Sequence, residues 1–278
     1  MTSTQPLNRF PLFRTRSAEE MRAALAQLYG KPTLSFERGV TTIDAVANHH
    51  RLSDIGLAYV KYGTTMNVAY PEGNFTMQAF PVRGAGAMTI GKTEFPLNSR
   101  RGAILAGTGF AARLGPDYEH LILTMDTRAL TSKLAAIVGA PIDRPLSFRP
   151  RCDYDRLAAE ALRDHFLFLV DKVNALTAPL PKPVLAEFEQ MLMVMVLHAN
   201  RHNYSHLLEQ TPADAAPREV RRAEEYIEAN HRQAIKLEDL ARETGVSAFS
   251  LFRSFKQSRG YSPMQFLARV RARPRGTV

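Results

Sequence analysis

The chain has a single cysteine, Cys152, in 278 residues. That excludes an internal disulfide and suits a reducing compartment. Cys152 also has no histidine close by in sequence, so a cysteine nucleophile is not expected. Long apolar runs are missing too. The most apolar stretch, Met191–Leu197, is far shorter than the roughly 20 residues that span a bilayer. Near the N-terminus, Arg9, Arg14 and Arg16 interrupt any apolar core of the kind a secretory signal carries. A soluble, cytoplasmic protein with no membrane partner is the expectation.

The third shortage is local. From Ser247 onward there is no Asp or Glu, against seven basic residues: Arg253, Lys256, Arg259, Arg269, Arg271, Arg273 and Arg275. A solvated face normally mixes both signs, whereas a surface that meets phosphates carries one. The net charge is +9, and residues 218–278 hold 13 basic against seven acidic side chains. About a fifth of the chain thus carries two thirds of the excess, which points to a polyanionic partner. The remaining composition, 45% apolar and 23% charged, is ordinary for a globular protein, and the length suits two domains.

Within the basic end, Leu237, Leu240 and Ala241 recur at helical spacing, and Gly245 supplies a residue able to take positive φ and end that helix. Ser247 is placed to cap the next helix, whose inner stripe is Leu251 and Phe255. Phe249, Phe252, Arg253 and Lys256 fall on its other side. Two short helices at a tight turn make a helix-turn-helix, whose second helix enters the major groove of double-stranded DNA. Lys236 stands where a Ser, Thr or Asp cap is usual, so the first of these helices is expected to fray by roughly 1 kcal/mol.

The run Leu240-Ala241, Gly245-Val246-Ser247, Leu251, Arg253, Phe255, Gly260, Ser262-Pro263 and Phe266-Leu267 resembles the first half of the AraC/XylS-type DNA-binding domain. The segment from Pro217 to Asn230 resembles that family's opening helix, with Val220, Ala223, Tyr226 and Ile227 inward. More faintly, the rest of the chain is similar to the sensor half of the XylS-like branch. The resemblance implies that Phe249, Phe252 and Arg253 reach bases, with Arg253 on guanine O6 and N7 and the phenylalanines on thymine methyls. It implies that Ser247, Lys256 and Arg259 meet phosphates. Phe252 beside Leu251 equally suits a core position. The family joins a second helix-turn-helix through a long helix. Here that helix begins at Pro263, and Pro274 and Gly276 stop it. The expectation is a member truncated within its DNA-binding domain, the second helix-turn-helix missing.

The remainder reads in order. Ser17 caps a short amphipathic helix that ends near Tyr29. From about 34 to 127, six short runs rich in Val, Ile, Leu, Tyr and Phe alternate with glycine-rich turns: 57–62, 67–70, 75–82, 87–90, 102–106 and 120–125. They predict an antiparallel sandwich or barrel. Helices are expected over 130–138, 153–173 and 184–200, the last able to form a homodimer seam, and 211–217 reads as a linker after a first domain of residues 1–210. The fold class expected is α+β, a β-rich sensor with packed helices followed by an all-α domain over 218–278. The resemblance makes the sheet a jelly-roll or cupin-like pocket for a small organic effector, an aromatic or aliphatic carboxylate or another molecule of similar size. Arg83, with Tyr59 and Phe80, is the candidate effector site, against the plainer reading of an arginine at a strand end and aromatic core. Arg100, Arg101, Tyr70, Phe75 and Phe110 are further candidates. No metal or cofactor is expected, because His49 and His50 are adjacent and point to opposite faces, with His120 the one other histidine in the region.

The function these features favour is a ligand-responsive, non-enzymatic transcription regulator. The alternatives are a cupin-like small-molecule enzyme or binding protein, and a truncated regulator that no longer binds DNA specifically.

Overall fold

The computed structural model describes residues 5–40, 42–175, 180–209 and 216–272. It forms two compact units, Met1–Ser205 and His206–Val278. Most of the expected linker, 211–215, lies outside the described residues. So do Arg273, Pro274, Arg275 and Gly276, and with them the reading of a stopped joining helix.

The first unit runs β1 (Pro11–Thr15), α1 (Ala18–Tyr29), β2 (Thr33–Phe36), β3 (Ala45–Arg51), β4 (Ile55–Lys61), β5 (Met66–Tyr70), β6 (Phe75–Arg83), β7 (Gly86–Ile90), β8 (Thr93–Leu97), β9 (Arg101–Ala106), β10 (Phe110–Leu114) and β11 (Glu119–Asp126). There follow α2 (Thr127–Val138), β12 (Arg151–Asp153), α3 (Leu157–Ala175) and α4 (Lys182–Ala199), with a single turn, α5 (Ser205–Leu208), at the boundary. The strands form two antiparallel sheets, ordered β1-β3-β4-β11-β6-β9-β12 and β2-β5-β10-β7-β8. This is the antiparallel double sheet expected. The six anticipated strands are β4, β5, β6, β7, β9 and β11. Two expectations are corrected. The sheets also take in residues 11–15, 33–36, 45–51, 93–97, 110–114 and 151–153, and Asp153 pairs with Arg101 in β12 instead of starting α3.

The central strands of the larger sheet are buried on both faces, which is why β4 and β6 read as near-continuous apolar runs. One face, with Val60, Met77, Ala79, Leu105 and Ile122, packs with Met66, Val68, Met88 and Leu114 of the smaller sheet. The other is covered by helices: Phe80 stacks on Tyr154 at 5.3 Å and meets Phe166 of α3 at 4.7 Å. Polar groups fix this helix layer in register. The buried carboxylate of Glu189 on α4 accepts the backbone N–H groups of Ser53, Asp54 and Ile55, at 3.2, 2.6 and 3.2 Å. Asn200, which caps α4, donates to Gln78 at 3.1 Å and accepts from the Cys152 thiol at 3.1 Å. Burial pushes that thiol's pKa up, so it stays protonated and inert.

The second unit is α6 (Arg218–Asn230), α7 (Leu237–Thr244), α8 (Ala248–Arg259) and α9 (Pro263–Ala272). Val220, Ala223, Ile227, Leu240, Leu251, Phe255, Leu267 and Val270 make its core. Gly245 takes φ 75° and its N–H closes on Ala241 O at 3.0 Å, turning the chain from α7 into α8. The expected fraying of α7 is corrected by Asp239, whose carboxylate reaches back to the Lys236 N–H at 2.9 Å and sits, with Glu238, at the positive end of the helix dipole.

Candidate functional site

In the first unit, side chains from α1 and both sheets enclose a small cavity of about 30 Å³ between the sheets. That is room for one or two waters. Its walls are chiefly apolar: Leu25, Val60, Val68, Met77, Met88 and Ile122 are among them. Tyr29, Tyr62, Tyr70, Tyr118 and His120 also face it, and among the described residues no Arg, Lys, Asp or Glu does. The hydroxyls of Tyr29 and Tyr118 and both ring nitrogens of His120 are buried without a hydrogen-bond partner among the described residues. Native interiors leave few polar groups in that state, so four such atoms around one cavity mark it out. Burial raises the pKa of both hydroxyls and lowers that of His120 to about 4, so all three side chains are neutral at physiological pH.

An open cleft of about 510 Å³ lies beside the cavity, lined by Gln27, His49, Arg51, Asn74, Thr124 and Asp126. Tyr29 and Phe75 line both spaces, their rings 5.7 Å apart, and so form the partition between them.

The candidate effector residues lie elsewhere. Strand alternation turns Tyr59 and Phe80 away from the smaller sheet: Phe80 packs on α3, and Tyr59 donates to Glu119 at 2.8 Å. Arg83 is exposed and 3.9 Å from the same Glu119. Arg101 is held by Asp153 and Asp155 at the β9–β12 edge, and Arg100 lies 4.0 Å from Asp155. Of the aromatic candidates, Tyr70, Phe75 and Phe110 do line the cavity. The unpartnered set Tyr29, Tyr118 and His120 escaped sequence reading. The adjacent histidines diverge, His49 facing the cleft and His50 packing against Phe10, ring centroids 4.0 Å apart and tilted by 32°.

In the second unit, the side chain of Ser247 accepts from Ser250 N at 3.1 Å and starts α8. Phe249, 75% exposed, Phe252, 43% exposed, Arg253 and Lys256 then share one outward face at spacings of three and four. Phe252 is therefore not core. Arg253 and Lys256 have no ion-pair partner among the described residues, and two exposed phenylalanines beside these two cations form an amphipathic surface. Arg259 does not join it. Its guanidinium binds Glu224 on α6 through Nε and Nη2, both at 2.7 Å, which corrects its expected role at a phosphate. Arg271 is likewise committed, donating to the carbonyls of His231 and Gln233 at 2.7 and 2.6 Å. Arg269 lies over the Tyr261 ring at 4.2 Å.

Among the described residues, no helix is long and apolar enough to cross a membrane. Residues 21–198 match the AraC-binding-like domain. A probable thc operon regulatory protein from Rhodococcus erythropolis is 34% identical over 155 residues, 54% of this chain and 46% of that protein. The match thus spans about half the length of the curated relative. The crystal structure of the AraC-like transcriptional activator CuxR superposes with a TM-score of 0.53, covering 93% of each chain at 14% identity, a likeness of fold.

Proposed function

The chain belongs to the AraC-binding-like domain family, and from that premise we propose that it is a DNA-binding transcription regulator, not an enzyme. Its first unit senses a small organic effector, and its second unit reads double-stranded DNA in the cytoplasm. The observation that carries this reading is the outward face of α8. Phe249, Phe252, Arg253 and Lys256 stand free on a helix that begins at a tight glycine turn, as a recognition helix requires. Apolar side chains are costly to expose unless something covers them, and thymine methyls with flanking phosphates suit this mixture of rings and cations. The relative's description as an operon regulatory protein supports the same reading.

A homodimer is part of the proposal. Leu167 and Phe168 of α3 and Val184 of α4 are exposed apolar side chains on the helix layer, and a second copy is the partner that would pair two reading heads.

Selection of duplexes from a random pool by the full chain tests the function. The expected result is an enriched sequence motif whose retention falls about tenfold in Arg253→Ala, the loss of one base-reading pair. A retained pool with no enriched motif would contradict sequence-specific regulation.

A further inference from the structure

We infer that the effector is an uncharged molecule with a mostly apolar body and at least one hydrogen-bonding group, seated against Tyr29, Tyr118 and His120. This rests on the reading of the first unit as a sensor. It departs from the carboxylate that the sequence suggested.

The cavity itself excludes a charge. An ion entering it would shed its water and meet apolar walls, with no cation or anion among the lining residues to replace that water. Arg51 faces the adjoining open cleft, which shares Tyr29 and Phe75 with the cavity. What the cavity does offer is neutral and unclaimed. Each tyrosine hydroxyl donates once and accepts, and a neutral imidazole has one donor and one acceptor nitrogen. The His120 and Tyr118 rings meet edge to face with their centroids 5.0 Å apart, and both line the cavity. That pattern serves a group which both donates and accepts, such as a phenol or a primary amide, while Met77, Met88 and Leu25 cover the apolar body.

Space must be made for a ring-sized molecule, since about 30 Å³ holds only water. Tyr29 is the side chain placed to make it. It is the last residue of α1, followed by Gly30 at φ 82°, and it touches both the cavity and the cleft. Rotating it outward joins the two spaces, and the unbranched Met77 and Met88 can repack around what enters. Ligand binding is thereby linked to the position of the end of α1.

Calorimetric titration of the full chain with matched probes tests the inference: benzamide and p-cresol against benzoate and 4-methylbenzoate, at neutral pH. The neutral probes are expected to bind at least about tenfold tighter than the matched carboxylates. Tyr118→Phe, which removes one unpartnered hydroxyl, is expected to leave the melting temperature unchanged or raised while weakening benzamide about tenfold. Carboxylates binding as tightly as the neutral probes, with that binding lost in Arg51→Gln, would overturn the uncharged class and leave the sensor reading standing. A Tyr118→Phe protein that melts lower and binds benzamide normally would show that the hydroxyl serves the fold, overturning the assignment. No heat from either class at about 5 mM, weaker than any useful sensor affinity, would overturn the sensor reading and the inference together.

Discussion

The guanidinium of Arg259 and the carboxylate of Glu224 face each other fork to fork, with two N–O distances of 2.7 Å and the arginine side chain only 6% exposed. The pair ties the end of α8 to α6, so it sets the angle at which the face carrying Phe252 and Arg253 is presented. A charge buried this far is costly to leave alone.

Glu224→Gln therefore loosens the second unit. It takes the Glu224 charge away from a buried guanidinium, and the expected loss is about 2 kcal/mol, below the roughly 3–5 kcal/mol of a fully buried pair because Glu224 is partly exposed. Denaturant unfolding followed by far-ultraviolet circular dichroism checks it. A midpoint equal to that of the unmodified chain would show the pair to be ornamental.

Glu189→Gln weakens the first unit in a different way. Its carboxylate is the shared acceptor for the N–H groups of Ser53, Asp54 and Ile55, and an amide offers one weaker acceptor oxygen in its place. The expected cost is about 2 kcal/mol, in the range for hydrogen bonds to a charged group. Hydrogen exchange at Asp54 and Ile55 should accelerate before exchange in β11 does. Uniform acceleration throughout the unit would contradict a local anchor.

Acid stability carries the mark of His120. Burial lowers its pKa from 6.5 to about 4, so the unfolded chain takes up a proton that the folded chain refuses. The penalty is absent above about pH 6.5, grows as the pH falls, and levels off near pH 4 at about 3 kcal/mol. His49 and His50 are also lowered by burial and add in the same direction. His120→Phe should flatten the fall in stability between pH 6.5 and 4, measured from urea midpoints across that range. An unchanged slope would show that His120 is protonated in the folded protein.

The sequence conveyed the two-unit plan and most of the elements, since runs such as 75–82 and the Gly245 turn signal themselves locally. What it concealed has physical causes. Because the central strands are covered on both faces, their apolar runs are continuous and carry no alternation to tell inside from outside. Tyr59 and Phe80 were thus indistinguishable from Val60 and Ala79, which face the cavity. Strands β3, β8 and β10 owe their existence to neighbours: β3 holds Asn48, His49 and His50, and β8 contains Pro96. The cluster of Tyr29, Tyr118 and His120 draws on α1 and the strand end near β11, a union no spacing reveals. The acid-free stretch after Ser247 was misleading in part, because its partners come from upstream: Glu224 takes Arg259, Glu219 takes Ser254, and the end of α6 takes Arg271. The face of α8 was the legible portion, because Leu251 and Phe255 fix the inward direction and leave Phe249, Phe252, Arg253 and Lys256 outward.

Duplex binding by the full chain tests the central claim most directly. Fluorescence anisotropy with a labelled random-sequence duplex, from about 50 to 200 mM salt, reports how many phosphates the protein neutralises. The account predicts affinity that falls steeply with salt, with a log–log slope reduced by about one unit in Lys256→Ala and affinity weakened in Arg253→Ala. Arg259→Lys, in a side chain occupied by Glu224, should leave the slope unaltered. Absence of binding at the lowest salt, or a slope that depends on Arg259 and not on Lys256, would contradict α8 as the DNA-reading element.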